Sequence, residues 1–226
     1  MQYIEPLKLI FIHVPKTGGT FIENNLRLMN QKIFNNNKIF GGHHSYHKIK
    51  KTLDMLNMKD MSFWIIFSVV RDPYDRIVSA YNYLKQTEMR NNNDKNEWKY
   101  IGFPNSLTKF IHNIHNKYCN NELSFINPNN WHFQQQYKFV VNNFNEKKIS
   151  CKLLKYENLD KDFLKFIELY KKFKKIYKFL YDNIYKKIKI KKKYGVTNIL
   201  SSNEINMINE IYNNDFSLFR YNKINV

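Results

Sequence analysis

The chain has 226 residues, with 37 Lys and Arg against 19 Asp and Glu, for a formal charge of +18. That length suits one α/β domain with a sizeable core, so residues 1–226 are read as a single domain. The charge excludes an acidic, solvating chain and points to an anionic partner, although a composition rich in Lys, Asn, Ile and Tyr also leaves many lysines simply on a solvated surface.

No apolar run approaches the roughly 18 residues of a membrane span. The first ten residues lead straight into a strand pattern without a signal-peptide layout, and there is no N-x-[ST] sequon. A soluble, cytoplasmic or otherwise intracellular protein is expected. Cys119 and Cys151 have neither metal-ligand nor CxxC spacing and read as free thiols in a reducing compartment.

In chain order, Leu7 to Val14 is an apolar run that reads as a buried strand and stops at Pro15. Lys16, Thr17, Gly18, Gly19 and Thr20 follow, then a helical pattern with Phe21, Ile22 and Leu26 apolar. Strand, glycine-bearing turn and helix make the layout of a phosphate cradle: turned backbone N–H groups, a helix N-terminus, the Lys16 charge and the Thr17 and Thr20 hydroxyls. It is not a Walker A loop, because Lys16 precedes both glycines.

A short strand is expected at Lys38–Phe40. Gly41-Gly42-His43-His44-Ser45-Tyr46-His47 then leads into a helix from about Tyr46 to Met58. Phe63 to Val70 reads as a central parallel strand buried on both faces. It ends in Arg71-Asp72-Pro73, with Pro73 suited to the first turn of a helix reaching about Glu88 whose inner face is Ile77, Ala80, Tyr81 and Leu84. Met89 to Asn105 reads as a polar surface loop.

A helix capped by Ser106 extends to Tyr118 and carries His112 and His115, two histidines for which the sequence offers no third metal ligand. Trp131, His132 and Gln134 to Tyr137 either line an acceptor groove or pack in the core. Ile149 to Tyr156 reads as a strand and Glu157 to Leu169 as a helix. Tyr170 to Lys193 is lysine-rich. Ser201 and Glu204 form a capping-box pattern for a helix to about Asn213.

Two segments together resemble one family. PKTGGT after a strand is similar to the 5′-phosphosulfate loop of sulfotransferases that use PAPS (3′-phosphoadenosine 5′-phosphosulfate). The segment from Phe67 to Tyr83, FSVVRDPYDRIVSAYNY, resembles their 3′-phosphate segment, with Arg71 and Ser79 at the positions that hold that phosphate. Leu153 to Phe163 and Ile211 to Tyr221 are similar to late segments of the carbohydrate branch related to the Golgi glycosaminoglycan enzymes. Phe21 departs from the family, which often has a small hydroxyl residue there.

The resemblance implies a single α/β domain with a central parallel sheet flanked by helices, similar to P-loop nucleotide kinases. It implies PAPS as cosubstrate, bound by Lys16, Thr17, Gly18, Gly19, Thr20, Arg71 and Ser79, and a carbohydrate hydroxyl as acceptor. A Golgi-lumen setting would need an anchor outside these residues.

Sulfuryl transfer needs a base for the acceptor hydroxyl and a cation beside the transferred group. Lys16 is placed for the second role. The resemblance gives the base to a Gly-His pair that Gly42-His43 matches most closely; His44 and then His47 follow. His13 reads as a packed strand residue and Glu23 as part of a solvated helix face. No metal is implied, and nucleic acid is not the expected partner. Two other readings stand beside this one: a P-loop-like small-molecule kinase, and a nonenzymatic basic module binding nucleic acid or acidic glycan through the Tyr170–Lys193 stretch.

Overall fold

The computed structural model describes residues 2–4, 8–34, 45–46, 49–51, 64–87, 94–124, 127–141, 148–169 and 199–226. The architecture is α/β. One open sheet has the order β1 (Gln2–Ile4), β2 (Leu9–Ile12), β3 (Ile65–Val70) and β4 (Lys152–Lys155). β1 runs antiparallel to β2, while β2, β3 and β4 are parallel, with Phe11 opposite Phe67 and Val69 opposite Leu154.

The chain divides into two compact units, residues 1–70 with 139–192 and residues 71–138 with 193–226. The first holds the sheet. Its core joins Leu9, Phe11, Phe67, Val69 and Leu154 to Ile22 and Leu26 of helix α1 (Gly19–Phe34) and to Phe163, Phe166 and Ile167 of a later helix, Leu159–Leu169. Leu9, Phe11, Phe67 and Val69 alternate along their strands, so they share one sheet face. Phe67 anchors it, with its ring 5.1 Å from that of Phe11 and 4.5 Å from that of Phe166. Ile10, Ile12, Ser68 and Val70, on the opposite face, are also buried. The Ser68 hydroxyl is satisfied there by donating to the Ile12 carbonyl at 2.8 Å. Burial on both faces is why β3 reads as an unbroken apolar run.

The second unit is helical: α2 (Pro73–Thr87), α3 (Asp94–Tyr100), α4 (Leu107–Cys119), and, near the C-terminus, Ser202–Ile211 and Asn213–Phe219. A four-residue helix, α5 (Tyr137–Val140), spans the boundary between the units. The helix Leu159–Leu169 is α6, and the last two helices are α7 and α8. The core of this unit includes Ile77, Ala80, Tyr81 and Leu84, the face expected for α2, with Trp98, Phe110, Phe133, Ile208 and Phe216.

Helix starts follow local chemistry. Asp72 Oδ1 accepts from the backbone N–H groups of Tyr74 and Asp75, which caps α2 ahead of Pro73. Ser106 accepts from Lys109 N–H, and Ser201 with Glu204 forms the reciprocal box at α7.

Several elements depart from the sequence reading, and β1 and α5 were not expected from it. The expected loop Met89–Asn105 contains α3, whose Glu97 and Trp98 are buried. The C-terminal stretch after about Asn213, for which the sequence suggested no element, contains α8. Ile49 N–H donates to the Ser45 carbonyl, so the helix expected from about Tyr46 starts there. The strand expected at Lys38–Phe40, the candidates His43, His44 and His47, and the lysine-rich stretch at 170–193 lie outside the described residues. Among the described residues, no helix is long and apolar enough to cross a membrane.

Candidate functional site

In the first unit, the Lys16–Thr20 loop leaves the carboxyl end of β2 and opens α1. Lys16 has φ +65° and Gly18 φ +85°, while Thr17 and Gly19 are not in the positive-φ region. Alternating handedness along consecutive residues turns successive N–H groups toward one side, the geometry of an anion-binding nest. The Gly18 carbonyl accepts from Phe21 and Ile22 N–H. The N–H groups of Gly19 and Thr20 precede the first residues able to bond back into α1, so they remain as donors at the positive end of the helix.

Both glycines are demanded by their surroundings. A Cβ on Gly18 would lie 2.8 Å from Leu159 Cδ2 and 2.9 Å from Tyr156 Cδ2, at a φ that side chains rarely adopt. A Cβ on Gly19 would lie 2.0 Å from the His13 ring. The Thr17 side chain is fully buried and its hydroxyl donates to the Val14 carbonyl at 2.8 Å. Thr17 therefore ties down the base of the loop with the hydroxyl that the sequence reading counts among the cradle's donors. Thr20 is exposed.

His13, read from the sequence as a packed strand residue, is packed but lies just after β2, which ends at Ile12, and Glu23 is not on a solvated face. His13 Nδ1 and Glu23 Oε1 are 2.7 Å apart, both side chains mostly buried. Burial works to raise the Glu23 carboxyl, but its hydrogen bond to His13 and the neighbouring positive charges outweigh that and hold it below its ordinary range. The pair clamps α1 to the end of β2 and sets the ring against Gly19.

The second unit begins with Arg71, directly after β3 in the chain. Arg71 is buried, and its backbone is held at two points by one side chain. Its N–H donates to Gln136 Oε1 at 3.0 Å and its carbonyl accepts from Gln136 Nε2 at 2.8 Å. The Gln136 backbone is fixed in turn by Asp215 of α8. Asp215 Oδ2 accepts from Gln136 N–H and Oδ1 from Tyr137 N–H, each at 2.8 Å. Burial pushes the Asp215 carboxyl up to about 6 against the pull of those N–H donors and of Arg76. Arg76, fully enclosed, donates from Nη1 to the Gln134 carbonyl at 2.8 Å. Ser79 is half-buried on α2.

For His132 and Gln134 to Gln136 these contacts match the core reading. Gln134, Gln135 and Gln136 are buried, and Gln135 Nε2 donates to the Ile211 carbonyl at 2.6 Å. His132 pairs with Glu97, Nδ1 to Oε1 at 2.8 Å, and stacks on Tyr83. The glutamines and His132 are scaffold, and the residues they support include Arg71. Gln136 was among the residues the sequence offered as groove or core, but its hold on Arg71 was not foreseen, and Asp215 and Glu97 were not singled out at all.

The sequence profile of the sulfotransferase family matches residues 3–222. The chain belongs to that family of transferases, which move sulfuryl groups. No curated protein and no solved structure matched it. Family membership sets the small-molecule kinase reading aside.

Proposed function

We propose that the protein is a PAPS-dependent sulfotransferase whose acceptor is a carbohydrate hydroxyl. The observation that carries the donor assignment is the loop at Lys16–Gly19, where alternating backbone handedness meets a helix start in a chain of this family. Side chains at Gly18 or Gly19 would collide with Leu159, Tyr156 and His13, so the turn keeps a bare backbone, which in this reading lets a phosphate group come close.

In this reading the N–H groups from Thr17 to Thr20 and the Lys16 ammonium hold the 5′-phosphosulfate. Arg71 and Ser79 hold the 3′-phosphate, which is what separates this nucleotide from ADP. Bound PAPS supplies an activated sulfuryl group, and PAP, the 3′,5′-bisphosphate, is left when the sulfuryl group moves. Lys16 offsets charge on the departing side. His43 or His44 accepts the acceptor's hydroxyl proton. The carbohydrate assignment rests on the sequence resemblance of 153–163 and 211–221, and a Golgi-type setting is not needed for it.

The testing experiment is a sulfation assay with PAPS over a panel of glycan, phenol and tyrosyl-peptide acceptors, in wild type, His43→Ala and His44→Ala. Turnover on a glycan that one histidine variant abolishes supports the reading. Turnover confined to phenols or peptides overturns the carbohydrate acceptor.

A further inference from the structure

We propose that His115, Cys119 and Glu210 form a binding site for a Zn2+-type divalent cation on the helical unit, using none of the residues assigned to nucleotide or acceptor. His115 and Cys119 are four residues apart on α4, so they share one face of that helix. Glu210 reaches the same point from the last turn of α7. His115 Nε2 lies 2.8 Å from Glu210 Oε2, and Cys119 Sγ lies 3.7 Å from Nε2 and 3.8 Å from Nδ1. One donor atom from each of the three side chains falls within 4.8 Å of the others.

The sequence offered His112 as the companion of His115. The fold instead supplies a thiol and a carboxylate. Around a tetrahedral zinc, ligands at about 2.0–2.3 Å from the metal stand about 3.5 Å from one another. The His115–Glu210 and His115–Cys119 separations bracket that value, and the third lies within 4.8 Å. The base beneath is rigid, because Phe110, Ile111 and Ile114 of α4 and Ile205, Ile208 and Ile211 of α7 belong to one buried cluster.

The His115–Glu210 contact brings two of the groups together, and the i, i+4 spacing on α4 brings the Cys119 thiol to the same spot, so all three donors are placed to serve one ion. The donor chemistry is selective. Thiolate and imidazole favour zinc and its neighbours in the transition series, while magnesium and calcium prefer oxygen ligands. Two ionised donors, thiolate and carboxylate, also balance a divalent charge. Three protein ligands leave a fourth position for water or an outside donor. A bound ion would pin the C-terminal turn of α4 to that of α7.

Cobalt titration of the full chain tests this, because a cobalt–thiolate bond announces itself by charge-transfer absorption in the near ultraviolet. The chain's other thiol, Cys151, is buried and its pKa pushed up to about 12, so it does not compete as thiolate. The expected result is a saturable charge-transfer band at one equivalent of Co2+, bleached by added Zn2+. The band should vanish in Cys119→Ser, which alters an exposed side chain, and Glu210→Gln should weaken binding about tenfold or more. Zn2+ should raise the melting temperature of wild type and leave that of Cys119→Ser unchanged. A silent cobalt spectrum, or a band that survives Cys119→Ser, overturns the site.

Discussion

A single methyl group added at Gly19 would land 2.0 Å from the His13 ring. The ring has no slack, since Glu23 holds its other side at 2.7 Å. Gly19→Ala should therefore expel His13 and cost about 1–3 kcal/mol of stability by urea unfolding, as overpacked interiors do. It should weaken PAP binding as well, because the loop backbone must shift. Glu23→Gln keeps the contact and drops the charge, so its loss should be smaller; equal losses in the two variants would argue against the steric account. At Arg71 the corresponding device is Gln136. Gln136→Ala leaves a buried N–H and carbonyl without their amide partner, at about 1–3 kcal/mol. Gln136→Glu is the sharper probe, since it sets an acceptor against the Arg71 carbonyl. Circular-dichroism melts with PAP titrations should show both variants folded and PAP-impaired. The glycines were legible in the sequence because their spacing is local. Gln136 was legible only as a groove or core residue, because the residue it serves is 65 positions away.

At the scale of elements, β2, β3, α2 and α4 follow from runs and caps readable within a dozen residues. α3 escaped detection because its Asp94–Tyr100 stretch is polar apart from Trp98 and Tyr100, and Trp98 is buried through packing with Tyr81 and Phe110. α8 was missed for a similar reason. It is seven residues long, and its buried Asp215 looks like a surface residue until the Gln136 and Tyr137 N–H groups are placed beside it. The capping box at α7 was fully legible, with Ser201 N–H donating to Glu204 Oε2 at 2.6 Å. Ser201→Ala should lower stability by about 1 kcal/mol, read as a shift in urea midpoint with an unchanged slope. No shift would mean that α7 is held by Ile205, Ile208 and Ile211 alone.

Over the whole molecule, two discontinuous units share one family pattern that runs from residue 3 to residue 222. Their pH responses oppose each other. Asp215 in the helical unit has its pKa raised from 3.8 to about 6, so its contribution is fully present below its unfolded value and is lost as pH rises through about 6. Glu23 in the sheet unit is depressed, so its contribution is present above its unfolded value and lost as pH falls through the folded one. The stability of wild type minus that of Asp215→Asn should accordingly decline from about pH 4 to about pH 6 and then level. A flat difference would mean that the carboxyl is not held in its neutral-favouring pocket.

The central claim is that Lys16 to Thr20 and Arg71 with Ser79 bind a nucleotide bearing a 3′-phosphate. Calorimetric titration with PAP, with ADP as the control, in wild type and Arg71→Ala, without magnesium, tests it most directly. The account predicts PAP binding well above ADP binding in wild type, and the two brought level by Arg71→Ala. Equal affinity for PAP and ADP in wild type, or a preference for PAP that survives the substitution, would contradict it.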